Sequence, residues 1–224
     1  MKPILLTGEM VRSTLAGLKT KTRRPLKPQP EKLIFDEMTA SLLPRLSDCP
    51  FGKVGDRLWV RETFCLECQV ERDQPPPFAD GRPILYLRDG IECSKEEAEI
   101  WLQPHYRATD PTPELAYEDS DGEPTVRWKP AIHMPRWASR ITLEITEIRV
   151  ERVQEITEEE SKAEGVLPCP HPLSKDDECL DCYLDAGEYA CSFLNLWNRL
   201  YAKKGLGVDV NPWVWVIGFR RVEG

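Results

Sequence analysis

No apolar stretch in this 224-residue chain approaches the roughly 18 residues that a membrane-spanning helix needs; the longest runs only from Trp213 to Phe219. No transmembrane anchor is expected. A positive charge balance is lacking too. Thirty Lys+Arg face 38 Asp+Glu, a formal charge of −8, which excludes a protein that coats nucleic acid by bulk electrostatics and confines any nucleic-acid site to a local patch. The apolar stretch at the N-terminus, ending at Leu6, is too short for a secretory signal core, so the cytoplasm is the expected compartment. Internal repeats and heptads are absent, which speaks against a solenoid or a coiled coil. Proline, by contrast, is plentiful. Its 20 residues in 224 are about twice the usual ~5% share, so much of the chain is expected as extended loop. A hydrophobic content of 41% is nonetheless globular. The eight cysteines, in a reducing compartment, read as thiols or metal ligands rather than disulfides.

Pro3 to Leu6 reads as a short strand. Glu9 to Ala16 reads as a short helix with Met10, Val11, Leu15 and Ala16 on its apolar face and Gly17 as its stop. Lys19-Thr-Lys-Thr-Arg-Arg24, closed by Pro25, suits a strand or loop edge that directs charge outward. From Arg12 to Lys32 seven Lys/Arg stand against one acid, Glu31, the only strongly basic region of an acidic chain. Gly55 to Glu62 (GDRLWVRE) alternates as a barrel strand after a Gly-Asp turn. Between 71 and 130 turn signals dominate, with short strands expected at Ile84–Leu87 and Thr125–Trp128 and a helix at Lys95–Leu102. The strongest β signal is Arg140 to Val153. Ile141, Leu143 and Ile145 lie on one face and Ile148 and Val150 on a shifted phase, which implies a bulge. Thr157-Glu-Glu-Glu160 is a capping box opening a short helix stopped by Gly165, so Glu164 falls at a helix C-terminus, where the dipole disfavours a carboxylate. A long amphipathic helix is expected from Gly187 to Lys203, and Trp213 to Val222 should be a central strand, apolar on both faces.

The ordered segments LAGLKTKTRR, GDRLWVRE, SRITLEITEIRVERVQEI, TEEESKAEG and NPWVWVIGFRRV resemble prophage-encoded proteins with an ASCH domain, of the PUA-like superfamily. The resemblance covers about 1–62, 128–165 and the C-terminal strand. It implies an α+β fold: one domain over 1–224, a bent β-barrel of mixed strands flanked by helices, with loop-rich insertions at about 66–127 and 168–188. It also implies a cleft beside the barrel that binds RNA or a modified nucleoside, no organic cofactor, and, by analogy with small members, hydrolysis of the N4-acetylcytidine amide. The family's G-x-K-T-x-T-x-R stretch falls on Gly17 to Arg24 and its helical acid on Glu164. Lys19, Thr22 and Glu164 thereby become the catalytic candidates.

Amide hydrolysis needs a nucleophile, a proton carrier and positive charge for the oxyanion. Thr22 or a water it holds, Glu164 or a desolvated Lys19, and Lys19 or Arg23 fill those roles. Lys21, Arg23 and Arg24 would help lower the Lys19 pKa, and they serve equally as phosphate partners. Trp59, His133, Arg136 and Trp137 offer stacking and cationic surfaces for single-stranded RNA. Plainer readings stand beside these: a solvated basic edge, a surface acid at Glu164, and tryptophans that only pack. At the level of function the alternatives are a non-catalytic RNA-binding or regulatory module and a ribonuclease using the same cleft. Finally, Cys169-Pro-His171 followed by Cys179-Leu-Asp-Cys182 has the spacing of a structural zinc site, with Cys191 nine residues beyond.

Overall fold

The computed structural model describes residues 1–30, 48–68, 102–111, 128–169 and 187–222. They fall into two compact units, one formed by 1–4, 9–60 and 141–224, the other by 5–8 and 61–140. The expected strand at 84–87, the expected strand at 125–128 up to its last residue, and the expected helix at 95–102 up to its last residue lie outside the described residues; Trp128 itself is in no strand, and Leu102 opens one.

The first unit is built on a five-stranded sheet of β1 (Lys2–Leu5), β2 (Lys21–Pro25), β3 (Arg57–Arg61), β6 (Thr142–Arg152) and β7 (Trp213–Val222) in the order β1-β3-β6-β7-β2. The β3–β6, β6–β7 and β7–β2 pairings are antiparallel. Among the described residues this sheet is open, with β1 and β2 at its edges. The architecture is α+β. Strand β7 lies between β6 and β2, and Val214, Trp215, Val216, Ile217 and Phe219 are all buried, as expected of a strand apolar on both faces.

Helix α1 (Gly8–Leu15) buries Met10, Val11 and Thr14. The short helix α2 (Glu158–Ala163) begins at Thr157, whose hydroxyl accepts from the Glu160 amide at 3.2 Å. Helix α3 (Glu188–Tyr201) has no side-chain cap of its own; Glu158 of α2 supplies one, its carboxylate accepting from the Tyr189 and Ala190 amides at 3.0 Å each. Phe193, Leu194 and Trp197 of α3 then pack on Val153, Ile156, Val214 and Val216. Each such side chain contributes about 1.5–3 kcal/mol by leaving water.

The phase change in β6 is a β-bulge. Ile145 pairs with Phe219 and Glu147 with Gly218, leaving Thr146 as the extra residue. Gly218 makes room for it, since a Cβ there would lie 2.9 Å from Glu147 Cβ and 3.2 Å from Thr146 Oγ1. The bulge has a directional consequence. Before it the odd-numbered Leu143 and Ile145 share a face with Phe219; after it Glu147, Arg149 and Glu151 turn to the opposite face, with Gly218, Val216 and Val214.

In the second unit β4 (Phe64–Cys68) pairs antiparallel with β5 (Leu102–Tyr106). Its buried acid, Glu62, is held bidentately by Arg140 at 2.9 and 3.0 Å, and that guanidinium lies 4.0 Å over the Tyr106 ring. The Tyr106 hydroxyl donates to the Ala138 carbonyl at 2.9 Å. Burial pushes its pKa up to about 12 despite the neighbouring Arg140. Among the described residues no helix is long and apolar enough to cross a membrane.

Candidate functional site

The register across three strands assembles the site. Lys21, Gly218 and Glu147 lie side by side, as do Arg23, Val216 and Arg149, and Pro25, Val214 and Glu151. Directly opposed residues share a face, so Lys21, Arg23, Glu147, Arg149 and Glu151 all project to one side. Helix α2 covers that side and adds Glu160 and, at its C-cap, Glu164.

Lys19 sits in the turn before β2, 2% exposed. Its ammonium donates to Glu164 Oε2 at 2.7 Å, to the Glu164 carbonyl at 2.7 Å and to the Lys21 carbonyl at 2.8 Å. The other carboxylate oxygen of Glu164, itself 4% exposed, accepts from Arg23 at 3.2 Å. Two cations thus offset the unfavourable position of an acid at a helix C-terminus. Arg23 also donates to Glu151 at 2.7 Å and Glu160 at 2.5 Å, and lies 5.6 Å from the Phe193 ring centre. Lys21 bridges Glu147 and Glu160 at 3.1 Å each, and Arg149 bonds Glu147, Glu151 and Glu160. The cluster therefore comprises four cations (Lys19, Lys21, Arg23, Arg149) and four carboxylates (Glu147, Glu151, Glu160, Glu164).

Burial lowers the pKa of Lys19; Glu164 opposes this by charge and hydrogen bond, while Arg24 and Arg23 reinforce it. Burial raises the Glu160 pKa, but the Lys21 hydrogen bond, the Arg23 charge and Arg149 outweigh it and hold the carboxyl at about 2. Glu147 is likewise held below its usual value, where Lys21 and Arg149 overcome desolvation.

Gly165 closes the site behind Glu164. Its φ is 75°, and a Cβ there would lie 2.7 Å from Ser13 Cβ and 2.8 Å from Lys19 Cβ; Ser13 Oγ donates to its carbonyl at 2.8 Å. Gly165→Ala is expected to cost about 1–3 kcal/mol from backbone strain, with the collision in addition. Urea unfolding at unchanged m-value measures it.

The catalytic candidates divide. Lys19 and Glu164 meet in one buried pair, which overturns the readings of a solvated basic edge and a surface acid. Thr22 is buried next to Arg23, but Lys21 and Arg23 both reach Glu160, so strand alternation turns Thr22 to the other face, opposite Ile217. Arg24 shares that second face with Trp215 and approaches the Tyr201 hydroxyl at 3.5 Å. Trp59, 6% exposed, belongs to the core and presents no stacking surface. His133 and Arg136 are exposed and Trp137 half-buried, all in the second unit. Of the zinc candidates, Cys169 is half-buried and donates its amide to the Glu188 carbonyl at 3.1 Å; His171, Cys179 and Cys182 lie outside the described residues. Among the described residues no group of three His, Cys, Asp or Glu is placed to hold a metal.

Sequence reasoning missed Glu147, Arg149, Glu151 and Glu160. The signal was available for three of them: once the phase shifts after Ile145, the period-2 triplet 147-149-151 lies on one face. No protein-family model, curated protein or solved structure matches the chain.

Proposed function

We propose that this chain is an ASCH-type protein of PUA-like architecture that binds RNA or a modified nucleoside and hydrolyses an amide of the N4-acetylcytidine type. The observation that carries this reading is the buried 2.7 Å contact between Lys19 and Glu164, joined by Arg23. In this reading the Lys19 ammonium, whose pKa burial lowers, passes a proton to the Glu164 carboxylate it touches as the reaction begins, giving a neutral amine and a carboxylic acid. The amine takes a proton from water, and the resulting hydroxide adds to the acetyl carbonyl. Arg23 stabilises the oxyanion. Collapse releases the N4 amine, which takes the Glu164 proton; cytidine and acetic acid leave, the acid giving its proton to solvent to become acetate, and the ammonium–carboxylate pair is restored. Water rather than Thr22 is the nucleophile here, because Thr22 faces away from the pair.

A second reading is favoured by one specific observation. All three Lys19 ammonium donors already have protein acceptors, and its side chain is closed to solvent. In that reading the charge cluster is a rigid platform for a non-catalytic RNA-binding module. Incubating the purified protein with N4-acetylcytidine and following cytidine release by chromatography separates the two. Turnover that disappears in Lys19→Ala and Glu164→Ala, both still folded by circular dichroism, supports the hydrolase. No turnover, with salt-sensitive binding of single-stranded RNA, removes the hydrolase and leaves the module; release of shortened RNA would instead indicate a ribonuclease.

A further inference from the structure

The cations of the charge cluster are already engaged. Lys19, Lys21, Arg23 and Arg149 each hold at least one carboxylate, so a phosphate chain approaching the Lys19–Glu164 pair has to find its contacts elsewhere. The register supplies them one row along the sheet. Arg57 of β3 lies opposite Glu144 of β6, and Glu144 lies opposite Arg220 of β7. Directly opposed residues share a face, and Arg220 is two residues from Gly218 on the same strand. This row therefore stands on the face that carries Lys21, Glu147 and Arg149, about 7 Å along β7 from the row of Lys21, Gly218 and Glu147. The row is open where the cluster is closed. Arg57 is exposed, as is Lys53 in the turn leading into β3, and neither side chain holds an ion pair among the described residues. The Arg220 side chain is 66% exposed and donates to Glu144 at 2.8 Å. A surface pair of this kind contributes little and exchanges readily for a phosphate, which accepts from a guanidinium bidentately.

We propose that Arg57 and Arg220, together with Lys53 of the adjoining turn, bind the phosphates of a single-stranded RNA beside the Lys19–Glu164 pair. The proposal rests on the RNA-binding part of the function proposed above and not on hydrolysis. It makes the partner a strand held by its backbone, rather than a free nucleoside. The spacing selects a chain: β3 and β7 are two strand spacings apart, about 9.5 Å, with the Glu144 carboxylate between them, so the two guanidiniums meet different phosphates. Arginine suits that contact better than lysine, because its planar fork matches a phosphate. An unpaired strand is the form in which base edges are accessible. The opposite face of the same strands offers no such row, since Leu58, Leu143 and Phe219 are buried there. Arg221, opposite Leu143, is exposed on that other face and supplies an internal control.

The test is fluorescence anisotropy of a labelled oligocytidine RNA with the full chain over a range of salt concentrations. Arg57→Ala and Arg220→Ala should each weaken binding by about three- to tenfold. Each should also reduce the slope of log affinity against log salt by about 0.7, the share of one phosphate contact on a single strand. Glu144→Gln should act in the opposite direction and tighten binding by about threefold, because it releases Arg220 and takes a carboxylate out of the row. Arg221→Ala should leave the salt slope unchanged. Arg57, Arg220 and Arg221 are all exposed, so folding is not at stake in these variants. An unchanged affinity in Arg57→Ala or in Arg220→Ala, or an equal loss in Arg221→Ala, overturns the row while RNA binding itself stands. Polyglutamate that binds as tightly as the RNA, with the same losses, overturns it in favour of an acidic protein partner. No binding of RNA removes the row together with the RNA-binding reading, whereas loss of N4-acetylcytidine turnover touches only the hydrolase.

Discussion

Glu164→Leu is expected to lower the unfolding free energy by about 3–5 kcal/mol, and adding Lys19→Met to it is expected to restore part of that loss. The size follows from burial: removing one partner of an interior ion pair strands the other charge without solvent. The asymmetry follows from the geometry. Without Glu164, Lys19 keeps only the carbonyls of Glu164 and Lys21, whereas Arg23 still has Glu151 and Glu160. Without Lys19, Glu164 still has Arg23 at 3.2 Å. Lys19→Met alone should therefore cost less than Glu164→Leu alone. Urea unfolding of the four proteins in a double-mutant cycle measures the coupling, at constant m-value. Strictly additive losses would mean that the 2.7 Å contact carries no interaction free energy and would remove the support it gives to a reactive pair.

Local signals carried much of the fold. Strand β7, apolar on both faces, is the second from the edge and covered on both sides; Thr157 caps α2; and the shifted phase in Arg140–Val153 is a bulge at Thr146. These are patterns of period 2 or 3.6 and of cap chemistry, set within a few residues. What was not legible depends on partners far along the chain. The basic run at Lys19–Arg24 reads as solvated because exposed cations are the common case, yet Arg23 is buried by Glu151, Glu160 and Glu164, 128 to 141 residues away. Nothing within the run itself encodes that. Trp59 was ambiguous for a related reason: a tryptophan can stack or pack, and only the pairing of β3 with β6 decides that it packs. The bent barrel rests on the resemblance alone, and the described strands form an open sheet.

The same cluster should make the protein acid-labile within a defined interval. Glu160 bonds three cations, Lys21, Arg23 and Arg149, and its carboxyl is held at about 2 against an ordinary 4.5. A folded-state pKa below the unfolded one contributes stability that is complete above pH 4.5 and lost as pH falls toward 2. For a depression of this size the contribution is about 3 kcal/mol. Glu147 is depressed in the same direction and adds to the same interval. Unfolding free energy should therefore be steady near neutrality and fall steeply between pH 4.5 and 2. Glu160→Gln tests the assignment, because it removes the charge while keeping the shape. Near pH 7 it should cost about 3 kcal/mol, and near pH 2, where Glu160 in the parent is itself becoming protonated, the two proteins should converge. A constant difference at both pH values would mean that the loss comes from packing and not from the carboxylate charge. Convergence would place the ionic term in the cluster that aligns α2, and with it Glu164, over β2.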